Sequence, residues 1–179
     1  GSVTNRRTEF ESVSDFDILA MQETSSPNID SDGTHWAGSK RNKGISLSSK
    51  LATERIDLGG DSSPCIAVRV TESPMGRFNV LSVWAKPTPS YFDDLMRTLD
   101  LHSDFLRKSP SVVLGDFNMS VRVPEKTRQF YELNARLNGE FEMTSAYHEY
   151  SSDRFGMETR TTLYFQWGAA GCYHCDYVY

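Results

Sequence analysis

Ser111-Val-Val-Leu-Gly-Asp-Phe-Asn118 decides how the rest of the chain is read. A short apolar run rich in β-formers enters a glycine, then delivers an acid, an aromatic ring and an amide. A buried strand that ends this way presents polar side chains at its C-terminal edge, where open α/β sheets keep their chemistry. If the backbone stays extended, Asp116 and Asn118 point to one side and Phe117 points back into the core. A carboxylate beside an amide suits a cation or a phosphate. The same residues also make ordinary Asx turns, so this segment alone leaves both readings open.

Working outward, Asp15-Phe-Asp-Ile-Leu-Ala-Met-Gln-Glu23 reads as a near-continuous apolar strand, buried on both faces, with Glu23 at its C-terminal end. Gly44-Ile-Ser-Leu-Ser-Ser49 alternates as a half-buried strand does. Ile66–Val70 and Phe78–Ala85 flank Ser73-Pro-Met-Gly76, which predicts an antiparallel hairpin. Thr161–Trp167 and Tyr173–Tyr179 supply further strands. In the last of these the alternation puts His174, Asp176 and Val178 on one face. An acid on so aromatic a strand needs a buried partner or a site.

Two helices are clear. One spans about 91–107, capped by Ser90 with Asp93, and carries Phe92, Leu95, Met96, Leu99 and Leu106 on one stripe. The other opens at Pro124, carries Phe130, Leu133 and Leu137, and is expected to stop at Asn138-Gly139. Residues 4–13 can form a short amphipathic helix. Residues 24–43 read as loop and end in Lys40-Arg-Asn-Lys43, either a solvated run or a phosphate-facing rim. His102, on the first helix, is expected at the surface. The pattern predicts an α/β (α+β) fold in which two packed, mainly antiparallel or mixed β-sheets are flanked by helices.

A chain of 179 residues fits a single domain over 1–179, with Gly1-Ser2 reading as a cloning scar. With 38% hydrophobic and 24% charged residues, the composition is globular and not disordered. No run is long enough to span a bilayer. A net charge of −5 argues against a protein held on nucleic acid by bulk charge. Cys65, Cys172 and Cys175 are sparse and odd in number, which suggests reduced thiols in a cytoplasmic setting. Cys172-Tyr-His-Cys175 has metal-ligand spacing, but no second pair completes a zinc site.

Glu23, Asp116 and Asp176 thus sit at or near strand ends in separate parts of the chain, with Asn118 beside the second. Oxygen ligands without a His/Cys cluster favour Mg²⁺ or Mn²⁺ over zinc. Such an ion polarises a phosphoryl oxygen while a nearby carboxylate takes a proton from the attacking water.

These segments, in this order, resemble the endonuclease/exonuclease/phosphatase superfamily, which includes exonuclease III-like nucleases, deoxyribonuclease I and sphingomyelinases. Asp17-Ile-Leu-Ala-Met-Gln-Glu23 looks like its strand ending in a metal-binding Glu, and Lys43-Gly-Ile-Ser-Leu-Ser-Ser49 like the strand that follows. Val113-Leu-Gly-Asp-Phe-Asn118 is similar to its most specific motif, and Tyr173-His-Cys-Asp-Tyr177 to its His-apolar-Asp-Tyr motif. Ser145-Ala-Tyr-His148 and Phe78–Pro87 look like bacterial members.

The resemblance implies a shortened four-layer sandwich and divalent-metal-dependent, nuclease-like hydrolysis of a phosphodiester, nucleic acid included, by in-line attack of water. It implies that Glu23 is a metal ligand, Asp116 orients or deprotonates the water, Asn118 hydrogen-bonds a phosphate oxygen, and Asp176 orients a catalytic histidine. Trp84 and His174 are the substrate-facing candidates. Trp84 stands where many relatives carry Tyr or His; its indole can stack on a base or simply fill core. His174 can equally be a hydrogen-bonded structural histidine.

Two departures stand out. The family's opening strand ending in Asn is reduced to Val3-Thr4-Asn5, and its closing Ser-Asp-His segment is absent. The alternative they raise is a non-catalytic interaction module that kept the fold with an incomplete site. A nucleic-acid binder without chemistry would draw only on Lys40–Lys43 and Arg122, Arg128 and Arg154.

Overall fold

A computed structural model describes residues 15–26, 33–40, 43–57, 59, 64–120, 126–163 and 173–179. The helix expected over 4–13, the segment Val3–Asn5, Pro124, Cys172 and residues 164–167 of the expected strand lie outside them. Strands β1 (Ile18–Thr24), β2 (Thr34–Lys40) and β3 (Lys43–Ser49) form an antiparallel sheet in the order β1-β3-β2. Strands β4 (Ala52–Ile56), β5 (Cys65–Glu72), β6 (Phe78–Trp84), β7 (Ser111–Asp116) and β8 (Asp176–Val178) form a second sheet in that order. Among the described strands, only β6 and β7 run parallel. The connection between them is the crossover such a pair requires: helices α1 (Tyr91–Leu101) and α2 (Ser103–Arg107). Helices α3 (Thr127–Phe141) and α4 (Ala146–Ser151) follow β7.

Strand periodicity sorts the core into two layers. Ile66, Val68 and Val70 of β5, with Val80 and Trp84 of β6, face Ile45 and Leu47 of β3 between the sheets. The intervening Ala67, Leu81 and Val83 face the other way, onto Leu95 and Leu99 of α1 and Leu133 and Leu137 of α3. The architecture is therefore an α+β sandwich, and its central sheet is covered on both faces. The described residues supply three layers of the expected four: the two sheets and the helices on the larger one.

Local expectations fared unevenly. Ser90 caps α1, its Oγ accepting from the Asp93 N–H at 3.1 Å. The hairpin turns at Gly76, whose φ of 88° the turn needs. The single helix over 91–107 is broken at His102. That residue is buried, not exposed; its Nδ1 lies 2.8 Å from Thr98 O. Helix α3 runs past Gly139 to a left-handed Glu142, because Glu140 is held by Arg107 and Arg136 and Phe141 packs on the core.

The smaller sheet also differs from the reading above. Part of the expected loop 24–43 is strand β2, zipped onto β3 from Thr34↔Ser48 to Lys40↔Lys43. β3, central in its sheet, is buried where alternation predicted a wet face, and Ser46 is buried with it. β1 is the edge of the described sheet, so it is only partly buried instead of covered on both faces.

Candidate active site

The carboxyl-terminal edge of the central sheet gathers the acids by register alone. Trp84 pairs with Asp116 across β6 and β7, and Asp116 pairs with Asp176 across β7 and β8. Gly115 makes this possible. It has φ +135°, and a Cβ there would lie 2.1 Å from Val83 O, so only glycine lets β7 dock against β6 at this point. The same Cβ position lies 3.1 Å from Gln22 Nε2, which brings the end of β1 opposite the end of β7.

The backbone does not stay extended after Asp116. Asn118 adopts φ 51°, and its N–H donates to Asp116 Oδ1 at 2.8 Å, closing an Asx turn. Asn118 Nδ2 donates to Asp116 Oδ2 at 2.8 Å and to Ala85 O at 3.2 Å. The Asx-turn reading of the motif holds, and the turn is what aims the carboxylate. Both amide hydrogens are spent within the protein. Phe117 is buried, its ring 5.4 Å from that of Tyr177 and 5.9 Å from that of Tyr179.

Burial, then the neighbouring Asp176 carboxylate, lifts the Asp116 acid to about 6. Ligand atoms of Asp116, Cys175 and Asp176 all lie within 4.8 Å of one another. The Cys175 thiol reaches Asp176 Oδ2 at 3.6 Å and receives Thr162 Oγ1 at 3.8 Å. Burial and both carboxylates push this thiol up, so it stays protonated. Thr162 Oγ1 also accepts from the Cys175 and Asp176 amides at 3.0 and 3.1 Å, fixing the entry to β8.

Glu23 arrives from the other sheet. A register shift between Met21 and Thr24 and a φ of 57° at Glu23 turn its carboxylate outward. There it meets Lys43 Nζ at 3.4 Å, with both side chains more than half exposed. The Lys43 ammonium lies 5.5 Å from the Trp84 ring centroid, and the Lys86 ammonium lies over the same ring. Burial first, then Lys43, depresses Lys86 to about 8; Glu23, Asp116 and Asp94 pull it back up.

Asp116, Asn118, Asp176, Glu23 and Trp84 are thus brought to one end of the sandwich. His174 is not placed with them. β8 begins only at Asp176, so the alternation does not extend back to His174. Its ring packs 4.4 Å from Tyr147 and 4.7 Å from Tyr177, with Nδ1 at 3.1 Å from Arg160 O. Trp84 is 5% exposed and a lysine covers its ring, so the face expected to stack a base is occupied. Sequence reasoning missed Lys86; its one signal was a cation two residues past Trp84, just beyond the end of a core strand.

Solved structures share this architecture over nearly the whole chain. D. rerio TDP2, humanised by 14 mutations, matches with TM-score 0.59 and 12% identity over 97% of this chain and 73% of its own. ANGEL2, a 2′,3′-cyclic phosphatase in complex with adenosine-2′,3′-vanadate, gives 0.57 and 15% over 98% and 73%. An endonuclease/exonuclease/phosphatase family protein from Bacteroides thetaiotaomicron gives 0.54 and 12% over 98% and 72%. No family model and no curated relative matches the sequence. At these identities the likeness is one of architecture, and it shows that the chain has the fold of the endonuclease/exonuclease/phosphatase superfamily.

Proposed function

We propose that the chain hydrolyses phosphoester bonds with a divalent cation, Mg²⁺ or Mn²⁺, and that its substrates are phosphodiesters, nucleic acid strands among them. One observation carries this: Asp116, an acid lifted to about 6, and Asp176 lie together at the same end of the sandwich as Glu23 and two ammoniums. The likeness to ANGEL2, a 2′,3′-cyclic phosphatase, supports a phosphoester as the substrate class. The protonated Cys175 thiol supports a cytoplasmic setting. Among the described residues, no helix is long and apolar enough to cross a membrane.

The donors present fit a hard cation. Asp116 and Asp176 offer oxygens within 4.8 Å of each other, and the third group there, the Cys175 thiol, stays protonated. Glu23 already carries a cation in the form of the Lys43 ammonium. Glu23 would hold the metal, with Asp116 and Asp176 beside it. When bound, the ion would offset charge on the phosphoryl and leaving-group oxygens.

The chain's own residues account for the rest. Asp116, ionised above about pH 6, takes a proton from the attacking water as the new oxygen–phosphorus bond forms and the leaving oxygen departs in line. Asn118 locks both oxygens of that carboxylate in one orientation. Asp176 raises its basicity.

The competing reading, a non-catalytic module, is favoured by the Glu23–Lys43 pair, which already satisfies the metal-ligand candidate. Hydrolysis of bis(p-nitrophenyl) phosphate with Mg²⁺ or Mn²⁺, beside Asp116→Asn and an EDTA control, separates the two. The hydrolase reading expects metal-dependent turnover that falls at least a hundredfold in the variant. Absence of turnover with either metal favours the module.

A further inference from the structure

Asn118 cannot hold a phosphate oxygen without giving up a bond it already makes, because its amide hydrogens go to Asp116 and Ala85 O. An anion at this site needs another donor. Lys86 is placed to be one. Its backbone N–H donates to Asp94 Oδ2 at 2.8 Å. Asp94 is itself 1% exposed and tied to Arg97 at 2.8 Å, so the root of the side chain is fixed to a buried carboxylate.

Farther out, the side chain is braced on the Trp84 indole, and Trp84 is the register partner of Asp116. Among the described residues, no carboxylate lies within 4 Å of the Lys86 ammonium, whereas Lys43 has Glu23. The two lysines come from different sheets, Lys43 from the start of β3 and Lys86 from just beyond β6, and they share one ring. Glu23, Asp116 and Asp94 act on the Lys86 ammonium only from beyond 4 Å, which leaves its N–H donors open to a phosphate oxygen.

We propose that Lys86, assisted by Lys43, is the seat for the phosphoryl oxygens of the substrate, and that Asn118 serves only to position Asp116. This rests on the hydrolase reading for its biological sense, but the seat can be tested without turnover. Lysine offers a compact charge with rotatable donors, suited to a phosphate whose oxygens turn during reaction.

The test is calorimetric titration of the protein with inorganic phosphate in EDTA, which removes any contribution from a bound metal. Wild type, Lys86→Met, Lys86→Arg and Asn118→Ala are compared, with thermal melts confirming that each folds. The seat predicts at least a tenfold loss of phosphate affinity in Lys86→Met. It predicts recovery to within about threefold of wild type in Lys86→Arg, and affinity within about threefold in Asn118→Ala. Unchanged affinity in Lys86→Met, or a tenfold loss confined to Asn118→Ala, overturns it. So does failure of wild type to bind phosphate, which needs no variant to fold. Lys86-dependent phosphate binding without turnover of any phosphoester would leave the seat standing and remove the hydrolase reading.

Discussion

Asp116→Asn should do more than stop turnover; it should change how stability depends on pH. In the folded protein this acid is lifted from 3.8 to about 6, mainly by burial and then by Asp176. An acid raised in the folded state prefers its neutral form there. Its contribution is therefore fully present below the unfolded value and is lost as pH climbs to the folded one. Integrating the two titrations gives a loss of about 2 kcal/mol between pH 4 and pH 7, at about 1.4 kcal/mol per pH decade.

Asparagine cannot titrate, so this component vanishes in the variant whatever hydrogen bonds it keeps or breaks. The assay is urea unfolding of both proteins at pH 4, 5, 6 and 7 in EDTA. The variant should gain about 2 kcal/mol on wild type across that range, most of it between pH 4 and 6. A stability difference that stays flat with pH to within about 0.5 kcal/mol, roughly the extrapolation error, would refute the raised acid and with it the base assignment.

Two further outcomes follow from the same geometry. The turnover number should rise through about pH 6 as Asp116 ionises and fall above about pH 8 as Lys86 loses its proton, giving a bell in a pH–rate profile. Gly115→Ala should cost at least about 3 kcal/mol in urea or thermal melts, since a Cβ there meets Val83 O at 2.1 Å and the φ of +135° strains any side chain.

How much of this was legible in the sequence depends on whether a feature is local. The strand 111–116, the Ser90 cap and the Gly76 turn are written in adjacent residues, and they form as read. β2 was read as loop because Thr34-His-Trp-Ala-Gly-Ser-Lys40 has weak strand character of its own; its partner β3 makes it a strand. α3 outruns Asn138-Gly139 because Arg107 and Arg136 reach Glu140, contacts invisible along one helix.

The site divides in the same way. Glu23, Asp116 and Asp176 could be marked as strand-end acids, but only the fold shows that Asn118 has no hydrogen to spare. Lys86 gains meaning from a ring in its own strand and from a lysine in the other sheet. His174 was misplaced because the alternation was extended two residues beyond where β8 begins.

β8 is three residues long, yet it carries Asp176 into register with Asp116. The ladder there pairs only Leu114 to Asp116 with Val178 to Asp176, and it is flanked by Tyr179 N–H to Val113 O, Val113 N–H to Tyr179 O, and Phe117 N–H to Cys175 O, at 2.9 to 3.0 Å. Tyr177 and Tyr179 add a clasp on Phe117 that helps keep β8 docked. Short edges of this kind open locally long before a domain unfolds. Those amides would then trade hydrogen for deuterium together, as one unit. Where every opening leads to exchange, their exchange rate is also the rate at which the acid pair parts, so three aromatic rings that take no part in the chemistry help set the lifetime of the working constellation.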